Sequence, residues 1–490
     1  MRTPLLALLA LAAAATPLAA QDASRPAIER LAAANAALQR LTAAHPGALW
    51  PGFRPETIPV LYVVPERGIL LVNWGPGAPP EGFASVPGVD GAAWQPAALR
   101  TAASTGTTLG GRPVAQVFVF PDASEALLVG TTAHEAFHVF ERSVARDERK
   151  FGSGENAFLV SSYPVFDPVN EAGWALEGRL LSRALAARTG AELRERTREF
   201  VAAREARHRT LGSQFAEFET MAELNEGLAE YVLVRSLELA SSDPAFPWRA
   251  GAEAEVDRHR VRLDSLTADV RQSLRLRFYQ TGPAMGLLLD RLAGPAWRAD
   301  LERRDLTLLD ELAEASGYRD PERALRARAA RAVDTAALGR SAAAGVARLR
   351  AIRRAQVDSI LAPAGLRIVL RADSLPGRRF GLCGIDPQNL LQVDATVLLH
   401  TRWVRACGGG LDAEFTSPAV QDRGAGTFTA VVGAEDSVRI TAAGAPLAVA
   451  EGQAVARDDL KIEAPGLSLT AERAIVARRA GRLEIVPVAK

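Results

Sequence analysis

The hydrophobic positions of the chain follow a helical spacing over most of its first 360 residues. In the segment 25–44, apolar side chains at 28, 31, 34, 38 and 41 recur every three to four residues, which predicts an amphipathic helix. Similar spacing predicts helices over 171–188, 191–209, 213–239, 251–275, 282–292 and 321–361. Asp334 and Gly339 are candidate breaks in the last of these. The 191–209 segment is so rich in Arg and Glu that we expect a solvent-exposed helix face there.

Short apolar runs predict strands in two other regions. Residues 59–64 and 68–74 flank a turn and predict two strands, and residues 113–120 predict a third. The Gly- and Pro-rich segment 75–113 predicts mostly loop. After Pro363, short β-type runs separated by Gly, Pro and Asp predict a β domain that we expect to be sandwich-like.

These patterns predict an α+β protein with three parts beyond its N-terminal segment. We expect a mainly helical domain with a small N-terminal sheet over 21–335, a helical linker over 336–362 and a β-rich C-terminal domain over 363–490.

The first 20 residues have the layout of a secretory signal peptide. Arg2 precedes an apolar run over 5–15, and small residues lead to a plausible cleavage point after Ala20. The run is shorter than the roughly 20 apolar residues that a membrane-spanning helix needs. We therefore expect an exported protein, periplasmic or secreted, that has no membrane association after cleavage.

Composition excludes some partners and bears on the cysteines. With 58 Lys+Arg against 57 Asp+Glu, the net charge of +1 gives no electrostatic reason to expect binding to nucleic acid or to an anionic membrane. Cys383 and Cys407 are the two cysteines, and both fall in the predicted β domain. Export favours a disulfide between them, and the alternative is two unpaired thiols in a β-rich core.

The strongest chemical signal is the sequence H-E-A-F-H at 134–138, in a chain with six histidines. It follows a capping-box pattern that begins at Asp122, so we expect a helix from about Ala123 to Arg146. On a helix, His134 and His138 share one face, and both imidazoles can reach one metal ion. Glu135 lies about 100° round the helix, where its carboxylate can reach a water on that metal.

A catalytic zinc site needs three protein ligands and a water. A metzincin places a third histidine six residues after the second, but that position here is Val144. The sequence N-E-G-L-A-E-Y at 225–231 instead places Glu226 and Glu230 one helical turn apart. One carboxylate can then bind the metal while the other accepts the free N–H of a ligand histidine.

Two other glutamates compete for the third ligand position. Glu226 follows His138 by 88 residues, whereas Glu171 and Glu177 lie within 39 residues of it. Neither rival has a second carboxylate one turn later. The sequence favours Glu226 and leaves Glu171 and Glu177 as alternatives.

HEAFH followed by NEGLAEY resembles the gluzincin metallopeptidases, in which an HExxH helix is followed by an NE-led helix that supplies a glutamate ligand. The resemblance implies a zincin-like fold for 21–335 and Zn²⁺ as the cofactor. It implies hydrolysis of peptide bonds in a peptide or protein substrate, although the 88-residue gap is longer than in many gluzincins. The roles it implies are zinc ligation by His134, His138 and Glu226, general base catalysis by Glu135, and support of a ligand histidine by Glu230.

The same resemblance points to a tyrosine that stabilises the oxyanion. Tyr279 precedes an apolar helix, as such a tyrosine does in several gluzincins, and Tyr231 is a second candidate. A packed aromatic is the competing interpretation of Tyr279. For the whole protein, the competing function is a zinc-containing exported binding protein on a peptidase-like scaffold, without proteolytic turnover.

Overall fold

A computed structural model describes residues 5–99, 103–146, 149–259, 262–263, 265–268, 274–319, 323–371, 381–387 and 389–488, with side chains from Ser24 onwards except that of Arg323. The helix predicted at 25–44 is confirmed as the second half of α1 (Leu5–Ala44), which also covers residues 5–20 of the predicted signal segment. Residues 1–4 of that segment lie outside the described residues. No helix in the described parts of the chain is long and apolar enough to cross a membrane.

A six-stranded sheet follows α1. Its strands are β1 (Val60–Val64), β2 (Gly68–Val72), β3 (Ala84–Ser85), β4 (Ala93–Pro96), β5 (Thr105–Leu109) and β6 (Arg112–Phe118), in the order β3-β4-β2-β1-β6-β5. The prediction of mostly loop for 75–113 is confirmed for most of the described residues there, although β3, β4 and β5 also lie within this segment. These strands are short, and β5 alternates poorly between apolar and polar residues. β3 pairs with the next strand, β4, and β5 pairs with β6 across the two-residue turn Gly110-Gly111, whereas β4 pairs back with β2.

Among the described residues, twelve further helices build most of the chain between the first sheet and the β domain. They are α2 (Glu125–Val144), α3 (Pro168–Leu185), α4 (Gly190–Leu211), α5 (Ser213–Ala222), α6 (Leu228–Ser242), α7 (Arg249–His259), α8 (Ser265–Ala268), α9 (Leu274–Ala293), α10 (Trp297–Arg304), α11 (Leu308–Ser316), α12 (Arg323–Ala332) and α13 (Thr335–Leu361). A π-helical turn, Glu223–Gly227, joins α5 to α6 where one continuous helix was predicted. Residues 260–261, 264 and 269–273 of the predicted helix at 251–275, and residues 321–322 of that at 321–361, lie outside the described residues.

The helix predicted at 282–292 begins at Leu274, so Tyr279 lies inside α9 and the prediction that it precedes this helix was wrong. Two further predictions concern the N-terminal ends of α2 and α13. The cap of α2 is Ser124, whose hydroxyl accepts a hydrogen bond from the backbone N–H of Leu127 at 3.1 Å, so the prediction of Asp122 as the cap was wrong. Asp334 is the cap of α13, which confirms the break predicted there, whereas Gly339 lies inside that helix.

The prediction of a solvent-exposed face for the charged helix α4 was wrong in part, because two of its arginines are buried. Arg204 is fully buried between Glu177 of α3 and Glu223 of the π turn, at 2.6 and 2.9 Å. Arg207 binds Glu177 and Glu219 with distances of 2.6 and 2.5 Å. Buried charges persist when they are paired and hydrogen-bonded, and here the partners come from other helices.

The described residues of the C-terminal part contain thirteen strands in one nearly closed sheet rather than in two separate sheets of a sandwich. The strands are β7 (Leu366–Arg371), β8 (Gly381–Ile385), β9 (Leu390–Gln392), β10 (Val397–His400), β11 (Val404–Gly408), β12 (Leu411–Phe415), β13 (Ala419–Asp422), β14 (Thr427–Val432), β15 (Arg439–Ala442), β16 (Ala445–Pro446), β17 (Ala454–Ala464), β18 (Leu467–Arg479) and β19 (Arg482–Pro487). The sheet branches at β18, whose first half pairs with β12 and whose second half pairs with β19.

The predicted disulfide is confirmed. Cys383 of β8 and Cys407 of β11 are bonded, with their Cα atoms 5.8 Å apart. The two parts of the molecule are also in contact: α13 packs against α3, and Leu390 and Leu398 of the β domain join the apolar core of the N-terminal part.

Candidate metal centre

Helix α2 carries the HEAFH sequence between the sheet and α6. It packs against β6 on one side and α6 on the other, and almost its whole central part is buried. His134 and His138 are both buried, and their Nε2 atoms lie 3.2 Å apart. The one-turn spacing therefore directs both imidazoles to a common point, as the sequence predicted.

The π turn brings Glu226 to the same point. Its Oε2 lies 3.9 Å from Nε2 of His134 and 3.8 Å from Nε2 of His138. Single π turns within α-helices occur frequently at functional sites, because the extra residue changes the direction of a side chain. Gly227 lies against Gly282 of α9 so closely that a Cβ on Gly227 would be 2.8 Å from the Cα of Gly282. These two glycines allow the π turn to sit directly on α9.

The three side chains form a group that could hold a metal ion. One ligand atom from each of His134, His138 and Glu226 lies within 4.8 Å of the other two, and all three residues are buried. Two nitrogens bound to one zinc at 2.0–2.1 Å with tetrahedral angles would be about 3.3 Å apart, close to the separation of the two imidazoles. The donor set fits zinc, and two histidines with one carboxylate also suit non-haem iron, so the ligands alone do not identify the metal.

The two competing glutamates lie elsewhere. Glu171 forms a two-pronged ion pair with Arg277, at 3.0 and 2.7 Å. Glu177 is held by Arg204 and Arg207. The structure thus brings Glu226, and neither Glu171 nor Glu177, to the histidine pair.

Each histidine has a carboxylate behind its other ring nitrogen. Nδ1 of His134 lies 3.2 Å from Glu230 Oε2, where the sequence placed a supporting acid. Nδ1 of His138 lies 3.4 Å from Oε2 of Glu141, which sequence reasoning missed although it is three residues further along the same helix. Both are close contacts of a carboxylate with a ring nitrogen rather than aligned hydrogen bonds. Such carboxylates orient ligand histidines and make them more basic.

Glu135 lies beside the cluster without a partner for its second oxygen. It is buried, and its Oε2 has no hydrogen-bond partner among the described residues. Burial raises the pKa of Glu135 to about 7, against the opposing effect of the nearby His134. A general base works best when its pKa is near the operating pH.

Two residues at the start of α9 contact Glu226. The hydroxyl of Tyr279 donates a hydrogen bond to Glu226 Oε2, and its ring stacks on His134 with centroids 5.7 Å apart. Arg275, one turn earlier, donates to Glu226 Oε1 and to Glu155. Sequence reasoning singled out Tyr279 and missed Arg275, although the spacing of four residues places both on one face of α9. Tyr231 lies away from the cluster and donates to Asp290 at 2.8 Å.

A cleft of about 1050 Å³ opens over the cluster. One wall comes from β5, β6 and the residues that follow β6, a second from the π turn and α9, and a third from the C-terminal domain near Ile385 and Trp403. The β domain therefore contributes directly to the cleft that contains the candidate metal ligands.

No family model, curated protein or solved structure matches this chain. The gluzincin resemblance of the two motifs stays a prediction, and function is inferred from the residues and their geometry alone.

Proposed function

We propose that this protein is an exported zinc-dependent metallopeptidase that hydrolyses peptide bonds with Glu135 as the general base. The observation that carries the proposal is the convergence of two histidines from α2 and one glutamate from the π turn, next to the buried carboxylate of Glu135, whose Oε2 has no hydrogen-bond partner among the described residues. Three ligands with a free coordination position are typical of catalytic zinc, whereas structural zinc has four protein ligands.

The side chains divide the chemistry between them. His134, His138 and Glu226 would hold the zinc, which supplies Lewis-acid activation of a water and of the substrate carbonyl. Glu135 accepts a proton from the attacking water as the new C–O bond forms. It then delivers that proton to the amide nitrogen as the C–N bond breaks, so that one water is consumed for each bond cleaved.

In this structure the single hydroxyl hydrogen of Tyr279 is donated to Glu226 Oε2. We propose that, with substrate bound, it is donated instead to the substrate oxygen that gains negative charge. Burial is the main cause that raises the pKa of its hydroxyl well above the ordinary value, so the group stays protonated and able to donate. One such donor is typically worth about 2.7–4 kcal/mol in the transition state.

The sheet beside the cleft favours an extended peptide as substrate. β5 is the last strand in the order of the six-stranded sheet, and Ser104 and Thr105 at its start line the cleft. An edge strand can pair with an incoming peptide through backbone hydrogen bonds, which fix the peptide direction without selecting its sequence.

A substitution of the base tests the proposal. Glu135→Gln preserves size and hydrogen bonding but cannot accept the proton, so we expect zinc content to be kept and peptide hydrolysis to fall by at least about 100-fold. Zinc is measured by plasma mass spectrometry, and hydrolysis is measured on a mixture of fluorogenic peptides with and without a chelator.

Glu217→Gln is the matched control, because Glu217 is an exposed glutamate of α5 outside the cleft. It should keep both zinc and activity. Full activity of Glu135→Gln would contradict the mechanism. Stoichiometric zinc with no hydrolysis by the wild-type chain would favour the binding-protein alternative.

A further inference from the structure

An aromatic pair is exposed in the wall of the cleft. Phe120 is 58% exposed, and its ring meets that of Phe118 edge to face with centroids 5.1 Å apart. Both rings line the cleft that contains the candidate ligands. A large apolar side chain left in water within a concave site is typical of a binding surface rather than of the general protein surface.

The β domain places a third aromatic ring in the same cleft. Trp403 comes directly before β11, and its ring lies over Gly384 so closely that a Cβ there would be 2.3 Å from the indole. The indole N–H donates to Glu414 at 2.7 Å. The disulfide Cys383–Cys407 joins the two strands that carry this arrangement. Trp403 is therefore held in position before any ligand binds.

We infer that Phe118, Phe120 and Trp403 form a specificity subsite that accepts a large apolar side chain, aromatic or long aliphatic, from the peptide substrate. This inference rests on the proposed function, since it deepens the description of the same cleft. Burial of a large apolar side chain against these rings removes apolar surface of both partners from water, which is the driving force for binding.

The main competitor is a cationic side chain bound over the aromatic rings. Both arginines and carboxylates line the cleft, the carboxylates being Glu135, Glu155, Glu226, Glu230 and Asp386, so a Lys peptide is included in the test. Arg142 and Arg402 both line the cleft. Arg142 passes over Gly106 of β5, where a Cβ would lie 2.3 Å from its guanidinium. An arginine repels a lysine or arginine of the substrate that approaches it, which adds discrimination against a cationic residue.

The test uses blocked, internally quenched peptides that share one frame and carry a single Phe, Leu, Ala or Lys at the varied position. With the zinc-loaded wild-type protein, we expect kcat/KM for the Phe and Leu peptides to exceed that for the Ala and Lys peptides by at least about tenfold. Phe120→Ala and Trp403→Ala should each lower the Phe-to-Ala ratio by about tenfold, with zinc content unchanged. Trp403→Phe should restore part of the preference.

Phe158→Ala is the matched control, because Phe158 is another exposed phenylalanine, 46% accessible, that does not line the cleft. It should leave the ratio unchanged. Hydrolysis with equal rates for Phe and Ala peptides would overturn the subsite and leave the metallopeptidase proposal standing.

If the wild-type protein cleaves none of the peptides, the proposed function fails and the subsite is tested by binding alone. Dye-labelled Phe and Ala peptides are then titrated into the zinc-loaded protein and followed by fluorescence anisotropy. Tighter binding of the Phe peptide that is lost in Phe120→Ala supports the subsite, and equal binding overturns it.

Discussion

At the scale of single residues, the cluster shows why local spacing predicted part of the site and missed another part. His134, His138 and Glu135 follow from helix geometry, because positions four apart share a face. Arg275 and Glu141 also lie at helical spacing from residues of interest, but arginine and glutamate are common on helices, so spacing alone did not distinguish them. Their roles become visible only when the distances to Glu226 and His138 are known.

The identity of the third metal ligand is tested by replacing Glu226 and its rival Glu171 in turn. Glu226→Gln removes the anionic donor from the cluster, and we expect zinc affinity to fall by at least about 100-fold, since a ligand matters more than the supporting groups that are worth 10–100-fold. Glu171→Gln should keep the metal, because Glu171 pairs with Arg277 away from the histidines. Zinc affinity is measured by competition with a chromophoric chelator, and circular dichroism confirms that both variants are folded.

Retention of zinc by Glu226→Gln together with its loss in Glu171→Gln would transfer the ligand role to the rival segment. Loss in both variants without unfolding would show that the buried ion pairs and the cluster act as one unit.

At the scale of secondary-structure elements, the sequence predicted most long helices and missed a short hairpin, a π turn and the burial of charged residues between helices. Strand β5 forms a hairpin with β6 across the turn Gly110-Gly111, and it was missed because its sequence, TGTTL, has little apolar alternation. The π turn was read as part of one continuous helix, because one added residue hardly disturbs an apolar periodicity. Arg204 and Arg207 of α4 are buried because α3, α5 and the π turn supply carboxylates, which the charge run itself cannot reveal.

The contact between the π turn and α9 gives a prediction at this scale. In Gly227→Ala, the added Cβ would meet Gly282 Cα at 2.8 Å and would force the turn away from α9. We expect the free energy of unfolding to fall by about 1–3 kcal/mol. Because Glu226 is the preceding residue, zinc affinity should fall by about tenfold or more. Urea unfolding and chelator competition measure the two effects.

Gly339→Ala is the control for helix propensity. Gly339 lies inside α13, and nothing within 4 Å would meet its Cβ. Alanine should therefore stabilise the protein by about 0.5–1 kcal/mol and leave zinc affinity unchanged. An unchanged stability and zinc affinity in Gly227→Ala would show that the π turn tolerates the displacement and does not position Glu226.

At the scale of the whole molecule, the β domain was predicted as a separate unit, and its contribution to the cleft was not. Composition and strand pattern marked the change after Pro363, but no local signal indicates which surface of a domain meets another. Leu398 of β10 joins the core of the N-terminal part. Two residues later, His400 stacks on Phe428, which belongs to the core of the β domain. Strand β10 thus contacts both cores.

The position of His400 at this junction predicts how stability depends on pH. Burial lowers the pKa of His400 to about 4, and its Nε2 lies 3.1 Å from Oε1 of Gln421. In the unfolded chain the pKa is about 6.5, so between pH 6.5 and 4 the unfolded state binds more protons and the folded state loses stability as the pH falls. Between pH 7 and pH 5 this loss amounts to about 2 kcal/mol.

His400→Gln removes the titrating ring. Between pH 7 and pH 5, the free energy of unfolding of this variant should fall by about 2 kcal/mol less than that of the wild type. Urea unfolding at both pH values, followed by tryptophan fluorescence, gives the two differences. Other groups titrate in both proteins, so the comparison isolates His400. If both proteins lose the same stability, then His400 is protonated in the folded state at pH 5, and the junction between the two cores accommodates its charge.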